Sequence, residues 1–588
     1  MLLGQQSPTR LDTLHVQAAS RVDPNLPALT RSIQLLTAED ISSLPVRTIA
    51  EMLEWATGVE VLNRSPAQSD LSIRGASFEQ VVVLVNGVRM SDPQTGHFDL
   101  DLAVPLESVE RVEVIRGAAS ALYGADAMGG VVNVVTRTDA VPFGGSVHGG
   151  SWRTMRVAAR GGVTAGEEGG MSFNAGGEAA RSDGHRDGTD YETLLFHGSL
   201  SHNFAWGRLA GDMGVSRRDF GAQDFYAPYP SFEKTRTQTA SVGWESGVSQ
   251  SLDLDLRLSA RRHEDDFVLV RDDPSSYQNQ HTSSQVGGSL LGRYAGIGGF
   301  DIAVGGELFR DKLTSSNLGD RSEGRGAVFA EALLSRPRSV VMSMGIRADW
   351  HQEFGAFVSP SLSASVIPDE SARIRAALGR SFRAPTWTER YYQDPVNIGR
   401  PDLEPERAWS GELGLDLFAS SGLNVSTTLF VRRATSLIDW AKSETAPDAD
   451  PWETRNVEDA TFKGIEADVE FNGPLAFRWT LSGIALTVDA NEASGFRSKY
   501  ALRPLREQMT LGAERSIGSA ASIRIRVRHA RREDENSYRR VDLRLNIWVG
   551  VGWLRLDMQN LTDFNYPDVT GARAAGRAFF AGYSLAPN

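Results

Sequence analysis

The sequence predicts an all-β transmembrane barrel of about 22 antiparallel strands whose lumen holds an N-terminal α+β plug domain. Three observations carry this. From Gly144 onward the chain is built from segments of alternating polarity. The connections between these segments take turns between short and long. The residues before 137 follow a different pattern, with a capped helix and short valine-rich strands.

Composition sets the outer limits. The 588 residues are 41% hydrophobic and include 58 Gly, 12 Trp and 12 Tyr but no Cys. Such a chain buries a large core and has no thiol for redox, iron–sulfur, zinc or nucleophilic chemistry. A formal net charge of -13 opposes a nucleic-acid partner, because that binding rests on clustered Lys and Arg. No stretch approaches the roughly 18 consecutive apolar residues of a membrane helix, which excludes helical spans only. Strands that alternate lipid-facing and lumen-facing side chains look soluble on average. The opening MLLGQQSPTR has no basic n-region and no adequate apolar h-region. No secretory leader is read in it, so the start is cytoplasmic or a leader has been lost.

In chain order, residues 1–20 form an N-terminal segment, 21–137 the plug and 138–588 the barrel. Within the plug, TIAEMLEWATGVEV reads as a helix with Ile49, Met52, Leu53 and Ala56 on one face. Thr48 and Glu51 are spaced as a capping box, and Gly58 ends the element. In QVVVLVNGVRM a valine run meets Asn86-Gly87, the preferred pair for a type I′ hairpin, and RVEVIRG is a further short strand. Beyond 144, SLDLDLRLSARRHE places Leu252, Leu254, Leu256 and Leu258 on one face, with Asp253, Asp255 and Arg257 on the other. VDLRLNIWVGVGWLRLDMQNL does the same on both sides of a turn at 550–552. Short connections at 420–422 and 472–474 take turns with long ones at 382–406 and 437–455. Short turns at one rim and long loops at the other describe an outer-membrane barrel, and about 20 residues per strand and connection suit 22 strands around a plugged lumen.

LSIRGASFEQVVVLVNGVRM, LESVERVEVIRGAASALYGADAMGGVVNVVTR, GRSFRAPTWTERYY with RPDLEPERAWSGELGL, FKGIEADVEF and LRLDMQNLTDFNYPDV together resemble the TonB-dependent outer-membrane receptors. The match spans nearly the whole chain. Length, plug and the N-terminal DTLHV are most similar to the vitamin B12 receptors of that family. The resemblance implies an active transporter in the bacterial outer membrane, not an enzyme, that binds a scarce, bulky nutrient. A corrinoid is the first expectation and an iron–siderophore the second; a passive porin or adhesin is the reading from another class. Expected partners are a TonB-type energy-coupling protein in the periplasm, outer-membrane lipid and the nutrient, with the receptor a monomer. The end AFFAGYSLAPN departs from the family by lacking the usual terminal aromatic.

The resemblance also assigns residues. Asp12, Thr13, Leu14, His15 and Val16 match the TonB box, an extended, proline-free segment suited to strand addition on the coupling protein. Arg74 and Arg116 fall on the plug, and Glu412 and Glu466 on the barrel wall, as charged pairs that lock one to the other. Gly124, Gly129 and Gly130 permit positive φ and close backbone approach, forming a hinge before the plug's last strand that carries the chain on to the wall. Their spacing matches neither phosphate-loop pattern, and no G-x-S-x-G or H-E-x-x-H occurs. Asp183, Asp187, Asp190, Asp265 and Asp266 are placed on outward loops, either as calcium ligands or as plain solvated acids; no cofactor is required. His263 beside Glu264 has no second histidine at ligand spacing. Phe220, Phe225, Tyr226 and Tyr229, on another outward loop, suit a large, partly flat ligand and equally suit loop packing.

Overall fold

The computed structural model describes residues 20–22 and 30–585, except 66, 139, 167–169, 227, 298, 336–338, 370, 420–421, 448–449, 458, 491–494, 534 and 569–570. The Asp12 to Val16 segment therefore lies outside the described residues.

Seven strands and three short helices form the plug: β1 (Ser32–Thr37), α1 (Ala38–Ser43), α2 (Ile49–Leu53), β2 (Val59–Ser65), β3 (Gln68–Ile73), β4 (Val81–Val85), β5 (Val88–Arg89), β6 (Val109–Arg116), α3 (Ser120–Tyr123) and β7 (Gly130–Thr136). Five of the strands make one sheet in the order β1-β6-β7-β4-β5, and β2 pairs with β3 alone. The valine runs of β4 and β7 are buried along their whole length, as expected of central strands covered on both faces. Asn133 interrupts the second run for a reason. Its Oδ1 accepts from Gly87 N at 3.0 Å and its Nδ2 donates to Glu113 at 3.1 Å, pinning the β4–β5 turn. That turn has φ of 51° at Asn86 and 78° at Gly87, both positive as type I′ demands.

Helix α2 buries Ile49, Met52 and Leu53, and the Thr48 side chain accepts from Glu51 N. The predicted capping box is only half formed. The Glu51 carboxylate accepts instead from Arg47 N and from the Arg47 guanidinium, because the neighbouring cation outcompetes the cap's backbone N–H.

The barrel closes with 22 strands, every neighbouring pair antiparallel, from β8 (Gly144–Gly150) to the last strand, Ala578–Leu585. These two strands pair with each other, Tyr583 opposite Val147, so the barrel presents no free edge. One rim carries short turns, such as 205–206, 250–251 and 550–551. The other carries longer connections, including 384–405 and 436–459. Alternation sorts the side chains as predicted: on Leu252–Val268, Leu256 and Leu258 are exposed outward while Asp255 is buried within. Leu308 is 73% exposed and Val328 66%, exposures that a lipid surrounding makes favourable. Aromatic rings gather at the short-turn rim, with Phe204 stacked on Trp206 at 4.7 Å and Trp548 against Trp553 at 5.3 Å. They form a girdle at the level of the lipid headgroups.

The glycine segment is placed differently from the expectation. Gly124 caps α3 with φ of 75°, and a Cβ there would lie 2.7 Å from Arg347. Gly129 and Gly130 serve close approach, a Cβ falling 2.3 Å from Ala76 Cβ and from Ile115 O respectively. Gly129 and Gly130 shape the inside of the plug, at the start of the central strand β7, while Gly124 gives room to the wall arginine Arg347. The chain crosses to the wall only between β7 and β8.

Candidate functional site at the plug–barrel seam and the outward cavity

Arg74 follows β3 with φ of 52°, an unusual conformation for arginine that aims its side chain at the wall. Its Nε and Nη2 donate to the two oxygens of Glu466 at 3.0 and 2.7 Å, and Nη1 donates to Glu412 at 2.7 Å. The guanidinium also lies 4.5 Å from the Phe430 ring centre. Burial alone would lower its pKa; the Glu466 and Glu412 carboxylates outweigh burial and raise it. Arg116, at the end of β6, donates to Thr57 O at 3.1 Å and approaches Glu466 at 3.4 Å. The four residues assigned from sequence thus meet at one place. The sequence did not reveal the role of Gly58, read only as a helix end: a Cβ there would stand 2.2 Å from the Glu466 carboxylate.

The seam continues around the plug with the opposite polarity. Plug acids meet wall arginines: Glu54 with Arg540 at 3.0 Å, Glu60 with Arg532 at 2.7 Å, Asp92 with Arg261 at 2.6 Å, Asp101 with Arg218 at 3.1 Å and Glu107 with Arg156 at 2.6 Å. Burial tends to raise the Glu107 pKa, yet Arg156 beside it draws it down to about 2. These residues escaped the sequence reading because each pair joins distant segments with no local pattern.

Above the plug, a cavity opens toward the long-loop rim. Its floor is the plug loop bearing Gln94 and His97, and its walls include Tyr226, Glu233, Asp265, Tyr392, Trp440, Lys499 and Tyr500. His97 stacks on Phe78 at 4.3 Å and meets Asp70 through Nδ1 at 2.9 Å. Burial lowers its pKa in spite of Asp70. Of the four aromatic residues proposed for ligand contact, Tyr226 lines this cavity and Tyr229 is exposed on its loop. Phe220 and Phe225 are buried against Ala67 at the tip of the β2–β3 hairpin, so they are loop packing rather than ligand surface.

The five aspartates do not come together. Asp190 makes a two-pronged pair with Arg271 at 2.6 and 2.8 Å, Asp183 pairs with Arg153 at 3.2 Å, and Asp187 is exposed. Asp265 and Asp266 are on a strand rather than a loop. As neighbours there they face opposite sides, Asp265 toward the lumen, and cannot share a cation. Among the described residues, no group of three or more His, Asp or Glu side chains is arranged to hold a metal ion. His263 is buried, bonded to Thr237 at 2.8 Å and packed on Phe98 at 4.4 Å.

Two family models match the chain, the TonB-dependent receptor plug domain over residues 26–131 and the TonB-dependent receptor-like β-barrel over 168–585. The chain belongs to the TonB-dependent receptors. As one of these it is a bacterial outer-membrane protein. The receptor is 24% identical to the vitamin B12 transporter of Vibrio cholerae, covering 96% of this chain and 94% of that protein. Among solved structures it is similar to the siderophore receptor PirA of Acinetobacter baumannii, with a TM-score of 0.78, 16% identity, and coverage of 95% of this chain and 98% of that one. It is equally similar to the ferric enterobactin receptor of Pseudomonas aeruginosa in complex with enterobactin, with a TM-score of 0.79, 18% identity, and coverage of 94% and 99%. At these identities the structural likeness speaks to the receptor's fold.

Proposed function

We propose that this receptor binds a corrinoid in the outward cavity and imports it when a periplasmic coupling protein displaces the plug. The observation that carries the reading is the end-to-end similarity to a vitamin B12 transporter, which spans both plug and barrel. The barrel holds no energy source of its own, so Asp12, Thr13, Leu14, His15 and Val16 are the proposed point of attachment, by main-chain strand addition. In this reading Arg74 and Arg116, set against Glu412 and Glu466, form the resting lock. Charge pairs of this kind are stable when complete and costly when one partner is withdrawn. An iron–siderophore complex is the second reading, favoured by the shape shared with siderophore receptors.

The test is accumulation of radiolabelled cyanocobalamin by cells whose own receptor has been deleted. Uptake that requires this chain and an intact proton gradient is expected. Uptake of a ferric siderophore, with no cobalamin accumulated, would move the assignment to the second reading.

A further inference from the structure

The walls of the outward cavity carry an imbalance of charge. Around it, three buried acids of the plug hold a guanidinium, Asp70 with Arg64 at 3.0 Å, Asp92 with Arg261 and Asp101 with Arg218. Two wall acids do not. Glu233, on the strand Phe232–Ser249, is 1% exposed, and Asp265, on Leu252–Val268, is 5% exposed. Among the described residues neither is in an ion pair. Glu233 accepts from the Tyr226 hydroxyl, at 3.3 Å, and its carboxyl group is hydrogen-bonded to that of Asp265, which also meets the Gln94 side chain; Asp265 Oδ1 is nonetheless buried without a donor. Thr235, which stands opposite Asp265 in the ladder, gives its hydroxyl to Asp101 instead.

A second observation comes from a different part of the chain. Gln94, on the plug loop, is 4% exposed, and its Oε1 is also buried without a donor. Gln94, Glu233 and Asp265 line the same cavity. A buried acceptor left unpaired costs about 1–3 kcal/mol, and more when charged, so two of them, from two domains and beside the Glu233 carboxyl at one cavity wall, describe a place prepared for a donor from outside. Lys499, the cation lining this cavity, stands on the opposite wall with Nζ bonded to Asn397.

We infer that Glu233, Asp265 and Gln94 form a donor-seeking subsite, which takes a primary-amide or ammonium group of a neutral or cationic ligand and turns away polyanionic metal chelates. The inference deepens the proposed function and rests on its placing of the ligand in the outward cavity. A trianionic chelate brought to this wall meets acids that no cation balances, at short range and low dielectric, where like charges repel strongly. An amide-rich ligand finds acceptors already desolvated and in place, and so loses little on binding.

Three probes of different charge separate the outcomes, each titrated calorimetrically into the purified full-length receptor in detergent. Cyanocobalamin is neutral and carries primary amides; ferrioxamine B is a cation with an ammonium tail; a ferric tris-catecholate is a trianion. The expected result is binding of at least one of the first two and none of the third. The near-isosteric Glu233→Gln/Asp265→Asn double variant should weaken the bound probe at least tenfold, and Gln94→Leu, outside the barrel ladder, should weaken it in the same direction. Heat-modifiable migration of the barrel on gels reports that each variant is folded. Ferrioxamine B binding that depends on these residues, without cobalamin binding, would support the subsite while removing the corrinoid assignment. Cobalamin binding unchanged in both variants would keep the assignment and overturn the subsite. Tighter binding of the trianion than of the other two, or binding of none, would also overturn it.

Discussion

At the scale of single residues, Arg74 and Arg116 are not equivalent. Arg74 makes three short bonds to two carboxylates, while Arg116 spends its closest bond on a carbonyl and stands farther from Glu466. Replacing Arg74 with Met leaves two buried carboxylates short of a partner, and by the usual cost of a stranded buried charge should destabilise plug docking by about 3–5 kcal/mol. Replacing Arg116 with Met leaves Glu466 still held by Arg74, and should cost only about 1 kcal/mol. Single-channel conductance in planar bilayers reads both: frequent openings in the first variant and rare ones in the second are expected, and the reverse order would refute the ranking. Gly58→Ala tests the same contact from the other side. With φ of 70° and a Cβ thrust against the Glu466 carboxylate, alanine should open the channel at least as often as Arg116→Met does, although it removes no charge.

At the scale of elements, the sequence made the regular parts legible because their signals are local. A period of two identifies each strand, Asn86-Gly87 marks its own turn, and Thr48 starts α2, all within a few residues. Plug–wall contacts such as Glu107 with Arg156 or Glu54 with Arg540 link positions far apart in the chain, and no spacing rule announces them. Asp265 shows the same limit in reverse: read from composition it belongs to an acidic loop, whereas the ladder carries it into the lumen wall. The Glu107 contact also gives the plug a pH dependence. Its folded pKa of about 2 is depressed below the usual 4.5, so its stabilising effect is complete above about pH 4.5 and is lost as pH falls toward 2. Limited proteolysis of the plug should therefore accelerate between pH 4.5 and 2.5 under an acid-active protease. Glu107→Gln, with no such charge to lose, should be cleaved faster than wild type at pH 6 and show a flatter response to acid.

At the scale of the whole molecule, the seam has two polarities, and this bears on how the plug can move. Most of the circumference sets plug acids against wall arginines, while the Arg74 sector, and Arg21 against Glu307 elsewhere on the wall, set plug arginines against wall glutamates. Rotating the plug in place would bring like charges together, so the lowest barrier belongs to a pull along the barrel axis or a partial unravelling from the N-terminal side. Both need a handle outside the lumen. If the proposed segment from Asp12 to Val16 is that handle, Leu14→Pro removes a main-chain donor and fixes φ, breaking strand addition to the coupling protein while leaving the outward cavity and the lock untouched. Cells carrying the variant should bind radiolabelled cobalamin at the surface as well as wild-type cells and accumulate none. Accumulation equal to wild type would show that the coupling protein takes hold elsewhere on the chain. Uptake that continues after the proton gradient is collapsed would remove the energised pull altogether, and leave the charged seam as a static seal.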